Sequence, residues 1–292
     1  MIPGQFEYVR PASLDEALRI LRDREGEAKI LSGGYSLLPM MKLRLAQPGL
    51  LVDLREVGGL DGIIRTDDDW RIGGRATHRR ILEHGALAAE HAVVREAAAG
   101  IGDRQVRNWG TIGGSCAHAD PSADWPAVVL ALRGSFVCRS DAGERVLPAR
   151  GFFSDAFQTA IEPTEVLTEV RLPHAADRQG SAYLKLERRA GDFATVAVAA
   201  VLELGDDGRI ASAGVALTAV ADAPFAAADA EAALVGSAPD EAAFTAAAAA
   251  AAGQASPVAD SHGPADYKLA MVREITIRAL RLAASRAAGA AS

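Results

Sequence analysis

A glycine pair set between a strand and a helix constrains the fold of this chain more than any other sequence feature. Ala28 to Leu31 is an apolar strand pattern, Gly33-Gly34 follows it, and Leu37 to Leu45 has helical periodicity. Glycine lets the main chain approach a ligand closely, and consecutive backbone N–H groups at the start of a helix bind phosphate without added positive charge. The pattern predicts an α/β unit whose strand-to-helix turn can hold a diphosphate, with Ser36 as a further donor.

A second glycine pair lies later in the chain. Gly113-Gly114 stands between Thr111 and Ser115, in a predicted loop from Gly110 to Asp124, and offers a second set of backbone donors. Taken singly, each pair is typical of an ordinary turn, and that alternative stays open at this point. A Rossmann nucleotide site would need the pattern G-x-G-x-x-G after the first strand, where the sequence does not have it.

The remaining periodicity divides the first part of the chain into two lobes. Ser13 and Glu16 form a capping box that predicts a helix to Arg22, and Leu50 to Leu54 predicts a strand. The second lobe is predicted from strands at 70–74, 135–139, 144–147 and 166–172 and from helices at 77–87, 93–99, 125 onward and 152–157. A polar break at 173–180 predicts a domain of residues 1–176, with lobes of about 1–56 and 57–176, and a second domain of residues 177–292.

The C-terminal domain is predicted to be a three-stranded antiparallel sheet covered by helices. Its strands are predicted at 182–186, 194–204 and 210–220. The alanine run at 246–252 is predicted to be helical, because alanine is the strongest helix former, and a last helix is predicted at 267–287. The expected fold class is α+β.

Composition argues against several classes of function. A net charge of -7 disfavours a nucleic-acid-binding surface. The sequence has neither a charged leader followed by an apolar core nor a membrane-type apolar run, so we expect a cytoplasmic protein that meets the inner membrane only through partners. Cys116 and Cys138 cannot supply a four-thiolate cluster and are expected to be buried apolar side chains. His118 and Asp120 have no accompanying ligand cluster, so no metal site is predicted.

Two longer segments resemble the flavin-binding signatures of one family. Ser32 to Arg44 and Thr111 to Ser115 resemble those of the medium subunits of molybdenum hydroxylases, a group that includes the carbon monoxide dehydrogenase flavoprotein and the FAD domain of xanthine dehydrogenase. The resemblance continues through Lys185 to Ala194 and Gly263 to Tyr267, nearly the whole chain. It implies non-covalent FAD and a two-lobed FAD-binding domain of the PCMH (vanillyl-alcohol oxidase-like) type, followed by a small C-terminal domain.

The resemblance also implies which residues contact FAD. The two glycine motifs would hold the pyrophosphate, Ile101 would lie near the adenosine, Asp124 would contact a ribose hydroxyl, and Lys185, Asp192 and Phe193 would approach the flavin ring. Each has a structural alternative: Asp124 as a helix N-cap, Lys185 as a solvated strand residue, Asp192 as a turn former and Phe193 as core. The implied cofactor-binding set is Ser32, Gly33, Gly34, Tyr35, Ser36, Leu37, Ile101, Thr111, Gly114, Ser115, Asp124, Lys185, Asp192 and Phe193.

The function that the resemblance implies is electron transfer within a complex. Substrate would be oxidised at the molybdenum cofactor of a large subunit, and two [2Fe-2S] clusters of a small subunit would deliver electrons to the FAD of this chain. NAD or a quinone would then accept them. The assembly would be a dimer of heterotrimers, and this chain alone would not act on substrate.

The substrate would be selected in the large subunit. Carbon monoxide is the first expectation, because Met1 to Gly4 and Gly191 to Thr195 look closest to the carbon monoxide dehydrogenase branch. Aromatic-heterocycle, purine and aldehyde hydroxylases are the alternatives. Tyr35 stands where the family often has histidine or glutamine, and Ser115-Cys116 where it often has asparagine and an aliphatic residue. Two hypotheses from other functional classes stay open: a flavin-free scaffold subunit and an independent flavin oxidase.

Overall fold

The first lobe is built on a small parallel sheet. The structure is a computed structural model that describes residues 2–289. Met1, which belongs to the segment that resembles the carbon monoxide dehydrogenase branch, and residues 290–292 of the predicted C-terminal domain lie outside the described residues. The elements of the lobe are β1 (Glu7–Val9), α1 (Leu14–Asp23), β2 (Ala28–Leu31), α2 (Leu37–Lys42) and β3 (Leu50–Asp53). The strands stand in the order β1-β3-β2, and β3 pairs in parallel with both neighbours.

Local capping explains why α1 begins where the sequence predicts. Ser13 Oγ accepts the Glu16 N–H at 3.2 Å, and Glu16 Oε2 accepts the Ala12 N–H at 2.8 Å. The apolar side of the helix, including Leu18 and Leu21, is buried in the core of the lobe. The predicted capping box is confirmed.

The second lobe is a five-stranded antiparallel sheet with helices packed on it. Its elements are β4 (Ile63–Arg65), β5 (Asp69–Gly73), α3 (His78–Leu82), α4 (Gly85–Glu90), α5 (Ala92–Gly100), α6 (Arg104–Trp109), α7 (Ile112–His118), α8 (Asp124–Ala131), β6 (Ser135–Ser140), β7 (Gly143–Pro148), β8 (Phe153–Asp155), β9 (Gln158–Thr159) and β10 (Val166–Pro173). The strand order is β4-β5-β10-β6-β7, and β8 and β9 form a separate hairpin. Trp125, Phe136 and Phe152 are fully buried in the core of this lobe.

Two helix predictions and one loop prediction in the first two lobes are wrong in extent. Helix α2 ends at Lys42 and not at Leu45, because Arg44 has a left-handed backbone with φ of 60°. The single helix predicted at 77–87 is two helices, because His84 Nδ1 accepts the Leu87 N–H at 3.3 Å and starts α4. The loop predicted from 110 to 124 contains helix α7.

The prediction of a helix at 152–157 is also wrong, because this segment forms strand β8 and the turn after it. Phe157 has φ of 58°, which reverses the chain between β8 and β9. The rings of Phe152 and Phe153 both pack against Phe136, with centroids 4.1 and 5.7 Å away. Aromatic packing against the sheet therefore outweighs the local helical pattern.

The C-terminal domain has an antiparallel sheet with both faces buried. Its elements are β11 (Gln179–Leu186), β12 (Val196–Leu204), β13 (Ile210–Thr218), β14 (Phe225–Ala226), α9 (Ala228–Leu234), α10 (Glu241–Gln254) and α11 (Ala265–Ala287). Val196 and Val198 of β12 face the core formed with helices α9 to α11, whereas Ala197 and Ala199 face the core of the second lobe. The sheet joins the two domains.

The observed strands and helices of this domain agree with the predictions for its long strands and for its alanine run. The three long strands and the helix over the alanine run are confirmed. A short fourth strand, β14, pairs with β13 and was not predicted, since two residues carry no periodic signal. Across residues 2–289, no helix is both long and apolar enough to cross a membrane.

Candidate functional site

The two glycine motifs, distant in sequence, meet at the junction of the two lobes. Ser32 Oγ lies 2.9 Å from Thr111 Oγ1. A Cβ placed on Gly33 would lie 2.3 Å from the Trp109 carbonyl oxygen and 2.8 Å from Gly110 Cα. Because those neighbours are main-chain atoms, only glycine permits this approach of the lobes.

The first motif presents a row of unused donors. In the part of the chain that the structure describes, the N–H groups from Gly33 to Leu37 have no protein acceptor. Gly34 has φ of 82°, the left-handed conformation that turns the chain from β2 into α2. Consecutive free amides of this kind form a concave anion-binding surface.

The second motif uses its amides differently. The Gly113 N–H donates to Gly74 O at 2.9 Å, and the Gly114 N–H donates to Thr111 Oγ1 at 3.1 Å as the N-cap of α7. A Cβ on Gly113 would lie 2.5 Å from Gly74 O. The expectation of a second open set of glycine amides is therefore wrong for this structure. The second motif offers hydroxyl groups and the start of a short helix.

A cation–aromatic pair, Arg55 and Trp109, connects the two lobes at this junction, and the sequence analysis did not predict it. The Arg55 guanidinium carbon lies 4.9 Å from the centre of the Trp109 ring. Arg75 Nη1 donates to the Arg55 carbonyl at 3.0 Å. Trp109 is 49% exposed although it is a large aromatic residue. No short motif links these positions, because the pairing depends on how the lobes meet.

A buried charged cluster joins the second lobe to the C-terminal sheet. Asp124, the first residue of α8, accepts the Tyr183 hydroxyl at 2.5 Å through Oδ1. Lys185 Nζ lies 3.1 Å from the same oxygen and donates to the Gly100 carbonyl at 3.1 Å. The Lys185 side chain is only 7% exposed. Ile101 follows Gly100 directly, so three predicted site residues lie in or next to this cluster.

Burial and neighbouring charge set the protonation of the cluster. Burial raises the pKa of Asp124, and the Lys185 ammonium and the Tyr183 hydroxyl act in the opposite direction. Burial, together with the Asp124 carboxylate, raises the pKa of Tyr183 well above its usual value. Tyr183 therefore stays protonated and acts as the donor.

The loop after β11 lies against the end of α5. A Cβ on Gly191 would lie 2.4 Å from the Gly102 carbonyl oxygen, so the two loops touch through their main chains. A cavity of about 340 Å³ opens between them, lined by Gly102, Asp103, Val106, Arg189, Ala190, Gly191 and Asp192. Phe193 and Tyr35 are 52% and 43% exposed. Both aromatic rings are thus free to contact a ligand.

The structure decides all four of the alternatives raised by the sequence for Asp124, Lys185, Asp192 and Phe193. Asp124 is not an N-cap, since Ala123 takes that position. Lys185 is not a solvated strand residue and Phe193 is not core, as their exposures show. Asp192 does take part in a turn, because its N–H donates to Arg189 O and its carboxylate accepts the Phe193 N–H.

Comparison with known families identifies the class of protein. Residues 4–175 match the family described as "FAD binding domain in molybdopterin dehydrogenase". The chain belongs to the FAD-binding subunits of molybdenum hydroxylases. Residues 181–283 match the family described as "CO dehydrogenase flavoprotein C-terminal domain", in agreement with the assignment. The predicted family and fold class are confirmed.

Individual members of this family are similar over their full length. The chain is 41% identical to the carbon monoxide dehydrogenase medium chain of Afipia carboxidovorans, covering 98% of this chain and 99% of the relative. It is 36% identical to the nicotine 6-hydroxylase medium subunit of Paenarthrobacter nicotinovorans, with 96% and 98% covered. The solved quinoline 2-oxidoreductase of Pseudomonas putida 86 matches with a TM-score of 0.91 at 36% identity, over 98% of this chain and 99% of that one.

FAD is the cofactor of this molybdenum-hydroxylase subunit, and the residues present suit it. The free amides from Gly33 to Leu37 match a diphosphate, and the Ser32 and Thr111 hydroxyls stand beside them. The molybdenum cofactor and the iron–sulfur clusters of such complexes belong to partner subunits. Among residues 2–289, no three His, Cys, Asp or Glu side chains are grouped to hold a metal ion. Cys116 and Cys138 are free and buried, as predicted.

Proposed function

We propose that the first glycine loop binds the FAD diphosphate through its main chain. The observation that carries this proposal is the run of amides from Gly33 to Leu37 with no protein acceptor. The residues of this run are partly or fully exposed, so their amides can face a ligand, and a diphosphate supplies several acceptors at once. The hydroxyls of Ser32 and Thr111 supplement the amides.

The other predicted residues complete the proposed site. Tyr35, Ser36 and Leu37 belong to the first loop, and Gly114 and Ser115 to the first turn of α7. Ile101 would lie along the adenosine, Asp124 would accept a hydrogen bond from the ribose, and Lys185, Asp192 and Phe193 would approach the flavin ring. The cavity beside Asp192 and the exposure of Phe193 support this placement.

The task of this chain is to hold and shield the cofactor. Bound FAD supplies the redox chemistry, receiving electrons from the partner's iron–sulfur clusters and giving them to an external acceptor. The amides and hydroxyls of the lobe junction bind its charged part, and Phe193 excludes water from the ring. The Lys185 ammonium would supply a positive charge near the flavin ring, which favours an anionic reduced form. No acid–base pair of this chain is needed, so we expect no activity on substrate by the chain alone.

We propose carbon monoxide as the substrate of the whole complex. Two carbon monoxide dehydrogenase medium chains, 41% and 40% identical to this chain, support the proposal, as does a TM-score of 0.95 to the solved carbon monoxide dehydrogenase of Oligotropha carboxidovorans. An aromatic-heterocycle hydroxylase is the second candidate, because the nicotine and quinoline enzymes match over almost the same length.

We further propose how this chain is assembled and where it works. The complex would be a dimer of heterotrimers in the cytoplasm, and its electron acceptor would be NAD or a quinone. Within the chain, the boundary between the two domains would lie at residue 176.

Expression with the large and small subunits tests both parts of the proposal. The purified complex is expected to be yellow, and carbon monoxide should bleach its flavin absorbance, while the isolated chain should retain FAD without bleaching. A chain that takes up no FAD would favour the scaffold reading. Bleaching of the isolated chain by substrate would favour an independent oxidase, and bleaching of the complex by a heterocycle alone would favour the second candidate.

A further inference from the structure

Tyr183 makes the shortest contact to the carboxylate of Asp124. Tyr183 and Lys185 are two residues apart on β11, so their side chains leave the same face of the sheet. Both reach Asp124, which is at the start of a helix in the other domain. Tyr183 is 4% exposed, and the sequence offered no motif that singled it out.

We infer that Tyr183 is a positioning residue for nucleotide binding, because its hydroxyl holds the Asp124 carboxylate ionised and in a fixed orientation. This inference rests on the proposed contact between Asp124 and the ribose of FAD. A ribose hydroxyl donates to an ionised carboxylate more strongly than to a protonated one. The Tyr183 hydroxyl and the Lys185 ammonium both contact Oδ1 of Asp124. Among the described residues, Oδ2 of Asp124 accepts only from the Lys185 ammonium, at 3.3 Å. Oδ2 thus retains capacity to accept a further hydrogen bond.

Because Asp124 is buried, its carboxylate needs a hydrogen-bond donor to stay ionised. The burial that raises the pKa of Asp124 favours the protonated acid, which would be a poor acceptor. The titratable groups that face the carboxylate are Tyr183 and Lys185, which favour ionisation, and Glu187, which opposes it. Glu96 of α5 accepts the Tyr183 main-chain N–H at 2.7 Å and pairs with Arg286. Tyr183 is the one neutral donor among the groups that face Asp124 in the described residues.

The variant Tyr183→Phe removes the hydroxyl and keeps the ring that fills the core. Without this donor the pKa of Asp124 should rise further, because a hydrogen bond that favours the ionised form is lost. Binding of FAD should then be lost at a higher pH as the solution is acidified. Well above that pH the carboxylate is ionised in both proteins, so the affinities should converge.

The experiment is a titration of the FAD-free full-length chain with FAD, followed by quenching of flavin fluorescence, at a series of pH values. Asp124→Asn is included because it removes the titrating group and should bind FAD weakly with no midpoint in the same range. Tyr8→Phe is the matched control. The Tyr8 hydroxyl donates to Asp53 at 2.6 Å in the first lobe, so the same kind of bond is lost at a carboxylate other than Asp124.

A raised midpoint in Tyr183→Phe, with the wild-type midpoint kept in Tyr8→Phe, supports the inference. Equal weakening of FAD binding at every pH in Tyr183→Phe would show a structural role only and would overturn it. If Asp124→Asn weakens binding while Tyr183→Phe keeps the wild-type midpoint, the inference fails and the ribose contact stands. Unchanged affinity in Asp124→Asn would overturn the contact and the inference together.

Discussion

Thr111 Oγ1 lies 2.9 Å from Ser32 Oγ, although 79 residues separate the two in the chain. The same Thr111 oxygen accepts the Gly114 N–H and so begins helix α7. One hydroxyl therefore connects the two lobes and places the second motif beside the free amides of the first.

Replacing Thr111 with valine should reduce both stability and FAD affinity, since the shape is kept and the hydroxyl is lost. Loss of the N-cap should cost about 1 kcal/mol of unfolding free energy, and FAD binding should weaken about tenfold or more because the lobes lose their link. Urea denaturation of the FAD-free chain and FAD titration measure the two effects. Ser13→Ala removes the cap of α1 alone and should leave FAD affinity unchanged. Equal effects of the two variants on FAD affinity would contradict the account.

Gly33→Ala should prevent proper closure of the lobes. The added Cβ meets main-chain atoms at 2.3 to 2.9 Å, which cannot rotate away, so we expect a loss of roughly 1–3 kcal/mol and protein purified largely without flavin. Gly58→Ala is the control, because nothing lies within 4 Å of its Cβ. The ratio of flavin to protein absorbance distinguishes them, and normal flavin content in Gly33→Ala would argue against the close approach of the main chains.

Phe193→Leu should alter access to the flavin without altering the fold. The side chain is half-exposed, so the free energy of unfolding should change by less than about 0.5 kcal/mol. Iodide should quench the fluorescence of bound flavin more strongly in the variant, because a smaller side chain covers the ring less. Unchanged quenching with normal FAD content would place Phe193 away from the ring.

His78 should make the protein sensitive to acid. Burial, with a smaller effect from Arg107, lowers the pKa of His78 to about 3, and its Nδ1 accepts the Trp125 Nε1–H at 2.9 Å. Between pH of about 6.5 and 3 the unfolded chain binds a proton that the folded chain does not, so the free energy of unfolding falls as pH falls, by up to about 5 kcal/mol. His78→Asn keeps an acceptor for Trp125 and should flatten this dependence in urea denaturation at several pH values. An equally steep dependence in the variant would assign acid sensitivity to other groups.

Periodicity predicted the elements whose own residues decide their structure. The capping box of α1, the long strands of the C-terminal sheet and the helix over the alanine run are local features of this kind. Helix α7 was missed because glycines disfavour helix, yet the Thr111 cap and the pairing of Gly113 with Gly74 hold it.

The residues of the site were predictable mainly through resemblance to a family. Spacing in the sequence gave no reason for Ser32 to meet Thr111, or for Asp124 to meet Lys185, since both contacts arise from packing between separate units. The same applies to Arg55 with Trp109, which no motif marks. The contacts of these residues with FAD stay predictions, as does the domain boundary.

Amide hydrogen exchange, resolved residue by residue, tests most directly whether the first loop binds the diphosphate. In the FAD-free chain the amides from Gly33 to Leu37 should exchange rapidly, while the Gly113 amide, bonded to Gly74, should exchange slowly. Added FAD should slow the first group at least about tenfold and leave Gly113 little changed. Stoichiometric FAD binding with no slowing between Gly33 and Leu37 would contradict the account.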